Sequence, residues 1–315
     1  MSAPVLVLGR ITDRMRDRLL KRFELIDETA LDARADEIAA VALGMGGRCR
    51  ADTIDRLPNA KVISNYGVGY DGVDADYAAK KGIVVTHTPS VLDDEVANTA
   101  ILLLLATDRR LVAYDRYVRE GRWQSEGAPP LTRGVRDRLI GIVGLGRIGS
   151  TIAEKLKTAF GARIAYHGRS EKDVPYTYYA DLVAMARDAD ALIVVTPGGP
   201  ETEKLVGREV IDALGPEGTL VNVARGTVVD EAALIEALQA GRLGAAGLDV
   251  FENEPHVPDA LKTMENVVLT PHIGSATIET RNAMGDLVCE NIELVMDGKR
   301  PKTPVPESAG LVEAR

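Results

Sequence analysis

The stretch "LIGIVGLGRIGS", residues 139–150, reads as a strand, a glycine turn and the start of a helix. Gly144, Gly146 and Gly149 stand in the spacing GxGxxG. In such a turn the first glycine permits the tight bend and the second lets the backbone approach a pyrophosphate. The third lets helix and strand pack closely, and the helix N-terminus faces the anion. The bland reading is a glycine-rich turn with no ligand. A strand directly before the motif and a helical pattern at 147–159 directly after it favour a dinucleotide site.

Outward from this stretch, short apolar runs alternate with longer helical patterns. Strands are expected at 4–8, 39–43, 61–65 and 82–86, then at 139–143, 162–166, 191–195, 219–223, 245–250 and 266–270. Helices are expected at 12–22, 72–81, 94–119, 147–159, 206–214, 230–240 and 276–297. This alternation implies parallel sheets in an α/β fold. The strands are too many for one open sheet, and the series restarts after "GRWQSEGAPPLTRG" (121–134), a Gly/Pro-rich stretch read as a connecting loop. Two doubly wound domains are expected: a Rossmann cofactor domain over 100–282, and a flavodoxin-like, discontinuous domain over 1–99 and 283–315. The first domain opens "VLVLGRITD", without the glycine fingerprint, so only the second is expected to bind the dinucleotide.

"RIAYHGRS" (163–170) is the second strand of the cofactor unit. Such a strand usually ends in an acid that grips the adenosine ribose. Here Gly168 stands near that place, followed by Arg169 and Ser170. Glycine leaves room, Arg169 can form a bidentate charge-assisted pair with a 2'-phosphate, and Ser170 can add a hydroxyl donor. The site therefore reads as built for NADP(H) in preference to NAD(H). The competing reading makes Arg169 a solvated loop charge.

Bulk composition narrows the partners. The chain has 315 residues, enough for two domains, and a net charge of -9, which opposes a nucleic-acid backbone. Aromatic residues make up only 4%, too few for base-stacking platforms. The longest apolar run, "AILLLLA" (100–106), is far short of a membrane span. Met1-Ser2-Ala3-Pro4 leading into "VLVLG" lacks the basic flank and apolar length of a signal segment. Cys49 and Cys289 form no CxxC, so no metal site or disulfide framework is expected, and a cytoplasmic location fits.

A histidine acid or base has four candidates: His87, His167, His256 and His272. His167 lies at the adenosine end, too far from a nicotinamide. His87 precedes Thr88-Pro89, and His256 lies in a loop after Glu254-Pro255. His272 follows a strand end in the cofactor domain, as do Arg225 and the Asp249–Glu254 stretch. Parallel sheets place ligands at the carboxyl ends of their strands. Each residue alone would be read as a surface charge or a capped core histidine; their joint occurrence downstream of GxGxxG points to a reaction centre.

These residues carry a resemblance. "GIVGLGRIG", "NVARGTVVDEAAL", "GLDVFENEP" and "TPHIGSAT" look like the signatures of the D-isomer-specific 2-hydroxyacid dehydrogenases, over nearly the whole chain. "SNYGVGYDGVD" (64–74) and "TPSVLDDEVAN" (88–98) match the family's substrate-domain loops, and Gly168-Arg169-Ser170 resembles the glyoxylate/hydroxypyruvate reductases. The resemblance implies that His272 is the proton donor, that Glu254 bonds its other ring nitrogen, and that Arg225 binds the substrate carboxylate and polarises the carbonyl. It implies that backbone N–H groups of Val68 and Gly69, with Ser275, complete the substrate contacts. It further implies NADP(H) contacts at Gly146, Arg147, Ile148, Arg169, Ser170, Pro197, Val223, Arg225, Asp249 and Gly274. A homodimer formed mainly through the cofactor domain is implied too, with 121–134 as a candidate arm carrying the single tryptophan, Trp123. Two departures stand out: Asn98 where relatives usually carry an acid, and His87 where Asn is common. Neither position is catalytic in the family, and both are expected to alter pocket polarity.

Three other readings stay open: a reductase of a bulkier 2-keto acid such as hydroxyphenylpyruvate, an NAD-using D-lactate- or formate-type dehydrogenase, and a dinucleotide-sensing corepressor-like protein. The missing acid at 168 speaks against the second. Short tails without interaction segments favour an enzyme over the third.

Overall fold

Short aliphatic runs, buried on both faces, become parallel strands in two separate sheets. The computed structural model describes residues 4–313. Met1–Ala3, read above as no part of a signal segment, and Ala314–Arg315 lie outside the described residues. The first sheet holds β1 (Val5–Leu8), β2 (Leu25–Asp27), β3 (Ala40–Leu43), β4 (Val62–Asn65) and β5 (Val84–Thr86) in the order β2-β1-β3-β4-β5. The second holds β6 (Leu139–Val143), β7 (Arg163–His167), β8 (Thr177–Tyr178), β9 (Ala191–Val194), β10 (Thr219–Asn222), β11 (Ala245–Leu248) and β12 (Val267–Leu269). Its order is β12-β11-β10-β9-β6-β7-β8. Every pairing is parallel. The first order is flavodoxin-like and the second is a Rossmann sheet extended at one edge. Both expected sheet types are present.

All ten expected strands are present, and two were not foreseen. β2 and β8 are edge strands of three and two residues with partly exposed side chains. An edge strand needs no two-sided apolar run, so the sequence carries no period to detect. The helix expected over 94–119 is two helices, Asp93–Asp108 and Leu111–Arg119, broken at Arg110, which adopts a left-handed φ of 50°. The first is buried along much of its length and the second buries no residue, so the two serve different surfaces. The expected loop 121–134 begins with a short helix, Arg122–Glu126, and is then irregular up to β6.

The chain divides into two units: residues up to Leu92 with those from Thr277 onward, and Asp93–Ala276. Both divisions fall at helix starts, a few residues before those expected. A helix is one hydrogen-bonded rod and packs whole onto one sheet. The helix Ile278–Met296 joins the five-stranded unit: Ser64 Oγ donates to Val288 O (3.1 Å), and Arg18 donates to both Glu293 carboxyl oxygens (2.9 and 2.7 Å). Leu6, Val41, Ile63 and Val85 centre that unit's core, each fully buried. Burial of each such side chain contributes roughly 1.5–3 kcal/mol. Among the described residues no helix is long and apolar enough to cross a membrane.

Candidate active site

In the seven-stranded sheet, β6 lies between β7 and β9, so the strand order reverses there, and ligands bind at the carboxyl ends of such a switch point. β6 ends at Val143 and the fingerprint turn follows at that place. Gly144 has φ +102°, and a Cβ on it would sit 2.8 Å from Thr196 N and Cα. A Cβ on Gly149 would sit 2.2 Å from Gly144 O, so helix and turn pack with no room for a side chain. Gly146 is different: nothing lies within 4 Å of where its Cβ would be. That opening stands at the N-cap of the 14-residue helix Arg147–Phe160, whose first N–H groups have no intrahelical acceptor. These residues fit a pyrophosphate. Arg147 is fixed from the side by Asp93, with Nε 3.3 Å from Oδ2, while the other Asp93 carboxyl oxygen is buried without a partner.

At the end of β7, Arg169 and Ser170 are exposed, and Arg169 makes no hydrogen bond or ion pair among the described residues. The space around Gly168 is open to 4 Å. His167 is turned to structure, its Nδ1 bonded to Tyr179 O at 3.0 Å. Sequence reading missed Lys172. Its main chain is held by the buried Tyr166 hydroxyl, and its ammonium donates to Leu145 O within the fingerprint turn (2.5 Å). In sequence it is one lysine in a polar loop, indistinguishable from a solvated charge.

The segments after β10, β11 and β12 carry the candidate side chains Arg225, Glu254 and His272. Asn222 holds the turn after β10: its amide donates to Arg225 O (3.0 Å) and its oxygen accepts from Ala224 N (3.0 Å). Arg225 is half-buried and packs on Gly198, whose Cβ would sit 2.7 Å from Arg225 Cγ. A Cβ on Gly226 would lie 1.9 Å from the Phe251 carbonyl carbon, so the segments after β10 and β11 touch backbone to backbone. Asp249, fully buried, ties down the turn after β12: Oδ1 accepts from Thr270 Oγ1 (2.6 Å) and Ile273 N (2.7 Å), Oδ2 from Gly274 N (2.8 Å). Within that turn His272 adopts a left-handed φ of 54°, with its N–H donating to Asp249 O at 2.8 Å. Histidine tolerates this region better than most residues, and here two bonded segments impose it.

The outcome is a contact between residues 18 positions apart: His272 Nδ1 donates to Glu254 Oε2 at 2.8 Å. Glu254 Oε1 accepts from Phe251 N (3.1 Å). Burial pushes the Glu254 carboxyl up, but the bond and charge of His272, the Phe251 N–H and the charge of Arg225 outweigh it, and the carboxyl is held below its ordinary value. The carboxylate therefore keeps the proton on Nδ1, and Nε2 makes no hydrogen bond among the described residues. Pro197, Val223 and Gly274 lie in the turns after β9, β10 and β12, and Ser275 follows Gly274. His256 is exposed. Asn98 is exposed in a surface network on the helices: its oxygen accepts from Lys155 Nζ (2.6 Å) and its amide donates to Glu95 (3.0 Å).

Val68 and Gly69 belong to the five-stranded unit, in the loop after β4. Asn65 Nδ2 donates to Gly67 O (3.1 Å) and Gly69 O (3.0 Å), and His87 Nδ1 to Val68 O (2.9 Å). Among the described residues no group of three or more His, Cys, Asp or Glu side chains is placed to hold a metal.

A family model described as "D-isomer specific 2-hydroxyacid dehydrogenase, NAD binding domain" matches residues 101–274. The chain is 45% identical over 312 residues to a glyoxylate/hydroxypyruvate reductase of Arabidopsis thaliana, covering 96% of this chain and 99% of the relative. It is 45% identical over 309 residues to a hydroxyphenylpyruvate reductase of Plectranthus scutellarioides, covering 96% and 98%. A crystal structure of an NADPH-dependent glyoxylate/hydroxypyruvate reductase from Sinorhizobium meliloti, in complex with NADP and malonate, superposes with a TM-score of 0.92 at 46% identity, covering 98% of each chain. The matched region, which contains the glycine turn, is a nicotinamide-dinucleotide-binding domain, and the chain is an oxidoreductase of the D-isomer-specific 2-hydroxyacid dehydrogenase family.

Proposed function

We propose that this enzyme reduces a small 2-keto acid, glyoxylate or hydroxypyruvate, to the D-2-hydroxy acid, with NADP(H) preferred over NAD(H). The observation that carries the reading is the Glu254–His272 bond at 2.8 Å, in the same unit as the GxGxxG turn. Bound NADPH supplies the hydride that reaches the keto carbon. His272 Nε2 gives its proton to the oxygen that becomes the hydroxyl, and Glu254 stabilises the imidazolium that holds this proton. Arg225 pairs with the substrate carboxylate and draws charge toward the carbonyl oxygen. Gly146, Arg147 and Ile148 would take the pyrophosphate, and Pro197, Val223 and Gly274 would meet the rest of the cofactor, with Asp249 acting through the turn it holds. Arg169 and Ser170 take the 2'-phosphate. From the five-stranded unit, the N–H groups of Val68 and Gly69 bind a carboxylate. The test is loss of NADPH absorbance on adding glyoxylate, hydroxypyruvate or hydroxyphenylpyruvate. The reading expects turnover with the first two. Preference for hydroxyphenylpyruvate would favour the activity named for the Plectranthus relative, and tight NADPH binding without turnover on any of the three would make the protein a dinucleotide sensor.

We also propose a cytoplasmic homodimer. Leu102 (52% exposed), Leu111 (55%), Val118 (56%) and Trp123 (61%) offer apolar surface within one stretch of the cofactor unit. Leu102 lines a shallow, mainly apolar hollow of about 350 Å³ with Ile101, Leu105, Ala159 and Phe160, and with Asn98 and Lys155 as its polar members. Such side chains are the anchors that interfaces bury. Light scattering at micromolar concentration is expected to return about twice 33.8 kDa, and a monomer of 33.8 kDa would refute the dimer. Cys49 and Cys289 are buried free thiols, both pushed up to about 12 by burial, and fit a reducing compartment.

A further inference from the structure

The loop Tyr66–Tyr70 follows β4 and reads Tyr-Gly-Val-Gly-Tyr; it has no cationic side chain, and both tyrosine hydroxyls donate elsewhere, to Arg281 O (2.8 Å) and Glu307 (3.2 Å). Its carbonyls explain how it could bind an anion. Gly67 O accepts from Asn65 Nδ2 (3.1 Å) and Thr88 N (2.9 Å), Val68 O from His87 Nδ1 (2.9 Å), and Gly69 O from Asn65 Nδ2 (3.0 Å). A carbonyl oxygen can only accept, so Nδ1 carries the hydrogen. In a planar trans peptide the N–H points opposite to the C=O. Three consecutive carbonyls held by their own unit therefore turn the N–H groups of Val68, Gly69 and Tyr70 away from those donors, and none of the three has an acceptor among the described residues. Backbone N–H groups left without an internal acceptor are available to an anion.

The middle carbonyl depends on one side chain. His87 stands just past the end of β5, and β4 and β5 pair in parallel, so their ends lie side by side. The backbone of His87 is pinned to Thr303, N to O at 3.1 Å and O to Oγ1 at 2.6 Å. Its ring meets Tyr70 edge-on, with centroids 5.5 Å apart and planes at 87°.

We propose that His87 is a positioning residue for substrate binding: by holding Val68 O it aims the N–H groups of Gly69 and its neighbours at the substrate carboxylate. This rests on the proposed reduction of a 2-keto acid. An Asn amide is likewise a donor, so asparagine at 87 is the conservative variant.

The test compares wild type, His87→Ala and His87→Asn in the full-length enzyme. The readouts are kcat and KM for glyoxylate, Ki for oxalate (a carboxylate that hydride does not reduce here), and Kd for NADPH without substrate, by fluorescence. His87→Ala is expected to raise KM and Ki together by about 3- to 10-fold, the worth of one hydrogen bond. kcat should stay within about twofold and NADPH affinity should not change. His87→Asn should recover most of the loss. If the alanine variant does not fold, His87→Leu replaces it, keeping bulk against Tyr70 without a donor. Unchanged KM and Ki, a loss shared equally by kcat and NADPH affinity, or no recovery with Asn would overturn the proposal. Wild type that turns over while His87→Ala matches it removes only the role of His87; wild type that reduces no 2-keto acid removes the proposed function and this role with it.

Discussion

His272→Ala lowers kcat for 2-keto-acid reduction by about 10² to 10⁴, the usual contribution of a positioned acid–base group. The geometry gives the reason. The Nδ1 hydrogen is committed to Glu254 at 2.8 Å, so in the proposed reaction Nε2 would be the atom that gives the proton. Alanine removes that proton and leaves water as the donor. The NADPH dissociation constant should stay near wild type, because the glycine turn and the end of β7 are untouched. Glu254→Gln acts through the same ring but differently. The carboxylate, held below its ordinary value, stays ionised through neutral pH and keeps accepting the Nδ1 hydrogen. An amide keeps the shape but not the charge, so Glu254→Gln should lower kcat for reduction by less than His272→Ala does, with NADPH affinity unchanged. A depressed carboxyl contributes its stabilisation above the unfolded value near about 4.3 and loses it as pH falls through the folded value. Near-normal turnover by His272→Ala would show that the proton comes from elsewhere.

Arg169→Ala and Gly168→Asp should reshape cofactor choice. Arg169 is exposed and uncommitted, so it can meet a 2'-phosphate without first breaking an internal pair. Hydrogen bonds to charged groups contribute about 1.5–3 kcal/mol each, or about 10- to 150-fold. We expect KM for NADPH at least about tenfold below that for NADH on this ground. Arg169→Ala should erase most of the gap by weakening NADPH alone. Gly168→Asp should go further and invert the preference, because a carboxylate repels the phosphate and accepts from the ribose hydroxyls. The substitution is tolerable: nothing lies within 4 Å of the new Cβ, and Gly168 is not in the left-handed region. The measurement is kcat/KM for both cofactors in all three proteins. Equal use of NADH and NADPH by wild type, or indifference to Arg169→Ala, would make Arg169 a solvated loop charge after all.

What the sequence by itself determined was set by local demands. Gly144 and Gly149 are legible because backbone curvature or close approach excludes a side chain, and Gly146 because its bare backbone leaves the helix N-cap open. β6, β9 and β10 are legible because strands covered on both faces must be continuously apolar. Arg225, Glu254 and His272 could be placed at strand ends, and the family resemblance supplied their roles. Tertiary structure decided the rest, because it depends on neighbours distant in sequence. β2 and β8 exist only because a sheet edge was available to them. Glu254 meets His272 because Asp249 ties the turn after β12 and because Gly226 lets Phe251 pass in contact. Lys172 reaches the glycine turn only because Tyr166 anchors its main chain. Asn98 and His87 look alike in sequence, each a departure from a family habit. One lies in a surface network with Lys155, and the other supports the loop that presents Val68 and Gly69. Only the pairing of β4 with β5 separates the two cases, since hydrogen-bond partners brought together by sheet order leave no periodicity in the chain.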